Sequence, residues 1–167
     1  MRIVFDLDGV LRDLMGYLND KYGVPAPTDY FWIHQGKNIY QWLEDDNLFA
    51  LIYAPVTEYF HLIRKSVNIV EIWTHQPVAW RSKTESWITN NLGDKCLVNY
   101  FTPEEKKARL LEEKCIWLVE DNPVMAKLPR ILLIDRLYNR DVETEHRIRD
   151  TNDLKVWLDR NESGRTL

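Results

Sequence analysis

Ile3-Val4-Phe5-Asp6-Leu7-Asp8-Gly9-Val10 joins an apolar run to two acids one residue apart, followed by glycine. The run predicts a buried first strand over Arg2 to Phe5. Side chains alternate along a strand, so Asp6 and Asp8 fall on one side at its carboxyl end. In an open α/β sheet that edge binds ligands. Two carboxylates placed together there repel unless a cation or a shared proton intervenes. Taken alone, the pair is equally a helix cap followed by a solvated turn.

Downstream segments extend the pattern of strands and helices. Strands are predicted at Val67 to Trp73, Lys95 to Asn99, Cys115 to Val119 and Ile131 to Ile134. A helix is expected from about Trp80 to Leu92, closed by Gly93. A second begins at Thr102-Pro103-Glu104-Glu105, which supplies a cap, a first-turn proline and acids for the helix dipole. A last helix is expected from about Asn152 to Leu158, with a frayed polar tail after Arg160. Between the first two strands the reading is mostly helical: Leu11 to Tyr22, Lys37 to Leu43, and Asn47 to Ile63 with a break at Pro55. Strands alternating with helices predict a parallel sheet covered on both faces. The chain reads as one domain, residues 1–167, with a core of about 1–13 and 64–160 and a small helical cap of about 14–63 inserted after the first strand.

Composition narrows the function. The chain has 167 residues, 45% hydrophobic and 29% charged, with a net charge of -4. Those values fit a globular domain with its own core and disfavour a general nucleic-acid binder. No secretion signal or membrane span is read, and the expected location is cytoplasmic. Cys96 and Cys115, the two cysteines, lie in apolar runs and are expected to be buried reduced thiols. The histidines show no metal-ligand spacing, and neither a zinc motif nor a Gly-rich phosphate loop is present.

Three strand ends carry chemistry: Asp6 and Asp8, Thr74-His75, and Glu120-Asp121. Lys106-Lys107 opens the helix before the third of them. Acids for a hard cation, a hydroxyl and an ammonium are the groups that a divalent metal and a phosphate require. Each segment alone has an ordinary reading: Thr74 as a strand residue, the lysines as a solvated helix face, Glu120-Asp121-Asn122-Pro123 as a polar turn.

As an ordered set they resemble the haloacid dehalogenase superfamily. Asp6-Leu7-Asp8-Gly9-Val10 is similar to its D-x-D-x-[TV] phosphotransferase signature, and Thr74, the lysine and Glu120-Asp121 resemble its later motifs. The longer opening through Leu11-Arg12-Asp13 resembles the 5'(3')-deoxyribonucleotidase group, as do Glu120-Asp121-Asn122-Pro123 and Tyr138-Asn139-Arg140. That resemblance implies a Rossmann-like three-layer sandwich and Mg²⁺-dependent hydrolysis of a phosphate monoester through an aspartyl-phosphate. Asp6 would be the nucleophile and Asp8 the acid/base. Mg²⁺ would be held by Asp6, the Asp8 carbonyl and Asp121, with Glu120 behind or through water. Thr74 and a lysine would meet the phosphoryl oxygens. Lys107 is preferred to Lys106 because Leu110 and Leu111 lie one turn further on. His75, which departs from the group's pattern, is a candidate substrate contact.

The expected substrate is a small phosphomonoester, a (deoxy)nucleoside monophosphate in first place. The cap aromatics Phe31, Trp32, Tyr40 and Trp42 are candidates for stacking a base, Trp32 and Tyr40 foremost, with core packing as the alternative fate. Other readings are a phosphatase for a sugar phosphate or a polynucleotide 3' end, a dehalogenase, and an idle domain that only binds a phosphorylated ligand.

Overall fold

The computed structural model describes residues 1–162. Six strands form one sheet: β1 (Arg2–Phe5), β2 (Val70–Thr74), β3 (Cys96–Tyr100), β4 (Ile116–Glu120), β5 (Ile131–Ile134) and β6 (Arg147–Ile148). Their order is β3-β2-β1-β4-β5-β6, and every pairing is parallel. Chain order reverses between β1 and β4. A doubly wound sheet opens its ligand crevice at that point, outside the carboxyl ends of the strands.

Alternation along each strand sorts the core into two layers. Phe5, Ile72, Val119, Leu132 and Ile134 pack on one face with helices α4 (Phe60–Ser66), α5 (Arg81–Leu92) and α7 (Thr151–Glu162). Val4, Trp73, Leu118, Ile131 and Leu133 pack on the other, with Leu110 of α6 (Pro103–Glu112) and with Met125 and Ala126. Neighbouring residues thus serve opposite layers, as a pleated strand requires. Both faces are covered, which is why the strands read as continuous apolar runs.

Between β1 and β2 lie α1 (Leu14–Tyr22), α2 (Ile39–Asp45), α3 (Ala50–Tyr53) and α4. The first three share an apolar cluster of their own: Leu14, Leu18, Val24, Leu43, Ala50, Leu51 and Ala54, joined by Trp80. By contrast, Phe60 and Ile63 of α4 pack on the sheet. The expected boundary near residue 63 therefore falls in a helix whose apolar side belongs to the sheet layer.

The predicted elements differ from the observed ones mainly at their ends. The first helix begins at Leu14, because Leu11 and Arg12 are spent in a turn whose amides both bond the Leu7 carbonyl. Asp13 then caps α1 by accepting from the Gly16 amide at 2.8 Å. The stretch Asn47 to Ile63 breaks at Pro55 as read, into two short helices parted by an extended segment. The second strand starts later than predicted, at Val70, and β6 is too short to register as a periodic pattern. The final helix runs through residue 162, and the rest of the tail expected to fray after Arg160 lies outside the described residues. Cys115 is exposed and Cys96 half-buried, against the expectation that both are buried. Cys115 lies just before β4, outside the layer that covers the strand. No helix among the described residues is long and apolar enough to cross a membrane.

Candidate metal and phosphate site

Alternation also decides which groups meet at the crevice. Phe5 and Val119 pair in register and both face the α4–α5–α7 layer. Their successors Asp6 and Glu120 are thus turned to the α6 side. There the Lys106 ammonium reaches Asp6 Oδ1 at 2.6 Å and Glu120 Oε2 at 2.5 Å. Lys106 and Leu110 are the buried residues of α6, one turn apart, while Lys107 and Leu111 are exposed. The preference for Lys107 is therefore corrected to Lys106. Spacing favoured Lys107 only if Leu111 belonged to the buried stripe, and Leu111 is 45% exposed.

Glu120 and Asp121 take separate places. Glu120 has three donors: Oε2 holds Lys106, and Oε1 accepts from the Asp121 and Asn122 amides, each at 3.1 Å. Asp121 accepts from the Tyr138 hydroxyl through Oδ2. Its carbonyl accepts from Asn139 Nδ2, which also bonds the Ile134 carbonyl and so fastens this turn to the end of β5. Gly9 approaches Asp121 so closely, at a φ of +80°, that a Cβ there would collide with the carboxylate. The Gly9 carbonyl is gripped by Nε and Nη2 of Arg136. Glycine is required at this position for both its backbone conformation and the close approach.

Asp6, Glu120 and Asp121 each offer an oxygen within 4.8 Å of the others. Three carboxylates thus face one ammonium. Burial pushes the Asp6 carboxyl up to about 7; Glu120 adds to the rise and Lys106 opposes it. Asp121 rises well above its ordinary value for the same reasons, burial first and then Glu120 and Asp6. Burial disfavours the Lys106 ammonium, yet the attraction of Asp6 and Glu120 outweighs it and holds the charge firmly. The unmatched negative charge and the oxygen-only donor set suit a hard divalent cation. Asp6 and Asp121 have fewer donors than Glu120, whose Oε2 alone keeps capacity for a ligand.

A cavity of about 710 Å³ opens over these groups, and Asp6, Asp8, Thr74, His75, Lys106, Glu120 and Asp121 all line it. Thr74, the last residue of β2, is buried, and His75 is exposed with Nδ1 2.9 Å from the Phe101 carbonyl oxygen. Trp32 and Tyr40 line the cavity, whereas Phe31 and Trp42 do not. Trp32 stacks on His34 and Tyr40 packs against Trp80. Tyr30, Trp80 and Tyr138 also line it and were not singled out as base contacts by sequence. Tyr138 had a signal, the acid-strand-loop order that brings it near Asp121; Tyr30 and Trp80 had none beyond being aromatic. The sequence reading also missed Gln76, whose Nε2 donates to Asp8 Oδ2 at 2.6 Å.

A scan against protein-family models finds no match, and a search of curated proteins finds none. Among solved structures, the chain is similar to one provisionally described as a haloacid dehalogenase-like hydrolase from Burkholderia xenovorans LB400. The two share 12% identity over 96% of each chain, with a TM-score of 0.49.

Two outcomes follow from this geometry. Lys106→Met leaves buried carboxylates uncompensated and should lower unfolding free energy by about 3 kcal/mol; Lys107→Met should change it by less than about 0.5 kcal/mol. Urea unfolding of the two variants checks this, and equal effects contradict it. The second concerns pH. The folded Asp6 carboxyl, at about 7, binds its proton more tightly than the ordinary value of 3.8. Without a cation, stability from this group is therefore kept below about pH 4 and is lost as pH rises through about 7. Mg²⁺ needs the same oxygens deprotonated. Its addition should raise the melting temperature more at about pH 8 than at about pH 5.5, and a shift of equal size at both would contradict the assignment.

Proposed function

We propose that the chain is a Mg²⁺-dependent phosphate monoester hydrolase of the haloacid dehalogenase type that works through an aspartyl-phosphate on Asp6. One observation carries the reading. Asp6 is clamped by a buried lysine at the switch point of the sheet, beside a second acid pair and in the same cavity as Asp8 and Thr74. The ordered motifs of the sequence support it independently.

In this reading the Lys106 bond occupies Asp6 Oδ1 and turns the carboxylate so that Oδ2 attacks phosphorus. The bond from phosphorus to the leaving oxygen breaks as Asp8 delivers a proton to that oxygen. Asp8 then takes a proton from water as the water attacks phosphorus, which frees phosphate and restores Asp6. Lys106 and Thr74 donate to the phosphoryl oxygens. Glu120 holds Lys106 in place through Oε2. A bound Mg²⁺, held by Asp6 and Asp121 together with the Asp8 carbonyl, would neutralise the phosphoryl charge.

The substrate is a nucleoside monophosphate, a deoxynucleotide in first place. Tyr30, Trp32, Tyr40 and Trp80 line the same cavity as the acids, and aromatic rings stack on any base. Its partner would be this small molecule, in the cytoplasm, without general nucleic-acid binding.

Asp6→Asn should lower turnover by about 10⁴-fold or more with Mg²⁺ present. The assay is phosphate release from a panel of nucleotides, sugar phosphates and a 3'-phosphorylated oligonucleotide. Substantial residual turnover would refute Asp6 as nucleophile, and a preference for sugar phosphates would refute the substrate. Tyr40→Ala should raise KM for the preferred nucleotide about tenfold, the loss of one stacking contact. An unchanged KM in steady-state kinetics would remove Tyr40 from the base site.

A further inference from the structure

Asp8 is held in a way that the reading above does not require. Arg12 Nε donates to Asp8 Oδ1 at 2.6 Å and Arg12 Nη2 to Oδ2 at 3.0 Å, a two-pronged pair. Gln76 Nε2 donates to Oδ2 as well, at 2.6 Å. Oδ2 therefore has two donors and Oδ1 has one. A carboxylate oxygen accepts about two bonds, so only Oδ1 keeps capacity for a proton from another partner.

The guanidinium that does this is buried completely. Its Nη1 is fastened to the Leu51 carbonyl of α3 at 2.8 Å and to Thr84 Oγ1 of α5 at 3.3 Å. It also lies against the Trp87 ring. Arg12 thus has fixed contacts on both walls of the turn and cannot follow Asp8 if the carboxylate swings. Asp8 is its ion-pair partner, and a fully buried cation is held to the anion that compensates it.

Gln76 gives the second observation. Its Oε1 is buried and has no hydrogen-bond partner. Reversing the amide would set an oxygen against the Asp8 carboxylate, so the nitrogen must face Asp8. The fold tolerates an unsatisfied buried oxygen in order to give Asp8 this donor, and such an orphan in a native core calls for a reason.

We propose that Arg12 and Gln76 are positioning residues that fix the orientation of Asp8, leaving Oδ1 as the atom that exchanges a proton with the leaving group and with water. Neither touches the reacting atoms; both act through Asp8. The proposal rests on Asp8 being the acid/base of phosphomonoester hydrolysis.

The test separates orientation of the acid from general structural support. A sugar hydroxyl is a poor leaving group and needs a proton as its bond to phosphorus breaks, whereas 2,4-dinitrophenolate leaves without one. The ratio kcat/KM reports binding and the steps through transfer of phosphate to Asp6, so it includes protonation of the leaving group and excludes hydrolysis of the intermediate. Arg12→Lys keeps the charge but cannot grip both oxygens; Gln76→Leu removes the second donor and carries the test if the arginine variant does not fold. Each should lower kcat/KM for a nucleoside monophosphate relative to 2,4-dinitrophenyl phosphate, with the ratio of the two shifting by about tenfold or more. Equal losses on both esters, or no loss on either, would overturn the proposal while leaving the hydrolase reading intact. A wild-type protein that hydrolyses neither ester with Mg²⁺ would overturn both.

Discussion

The arrangement at the crevice depends on one buried ammonium. Lys106 Nζ lies between Asp6 at the end of β1 and Glu120 at the end of β4, the two strands that flank the switch point. It joins the two halves of the sheet where their loops part. Removed from water, such an ion is held only by good partners, and here it has two. In return it orients one oxygen of Asp6 and leaves the other facing the cavity. In the proposed reaction, the places of the cation and of the phosphoryl oxygens would follow from that orientation.

Charge balance explains the rest of the layout. With three acids against one ammonium, the cluster either takes up protons or binds a cation, and its raised carboxyls express the first alternative. Asp8 is treated differently. It faces the same cavity but has its own buried cation, Arg12, and so stands apart from the cluster. Two carboxylates one residue apart are thereby given opposite environments, which is the condition for giving them different work.

Much of this was legible in the residues. Apolar runs bounded by turn chemistry located five of the six strands, and the parallel sheet followed from their alternation with helices. Asp6, Asp8, Thr74, Glu120 and Asp121 are recognisable because strand-end acids and hydroxyls have little reason to recur in that order. The lysine was misplaced by one position because α6 has few apolar residues, and its buried stripe is decided by tertiary contact with Asp6 and Glu120. Arg12 and Gln76 carried no signal of their own. Arg12 fell within the helix expected over Leu11 to Tyr22, and Gln76, next to His75, was given no role, because their partners are brought to them only by the fold. The helical segment was the least legible, since its cluster is built from scattered residues and its register depends on packing against Trp80.

The central claim is that Asp6 becomes phosphorylated during turnover. The most direct test is to quench the enzyme during steady-state hydrolysis of its best nucleotide and reduce it with borohydride, which converts an aspartyl-phosphate to homoserine. Peptide mass spectrometry then reads the position. The account predicts conversion confined to Asp6 and dependent on both substrate and Mg²⁺. Conversion at Asp8, or rapid hydrolysis with no converted aspartate at all, would contradict it.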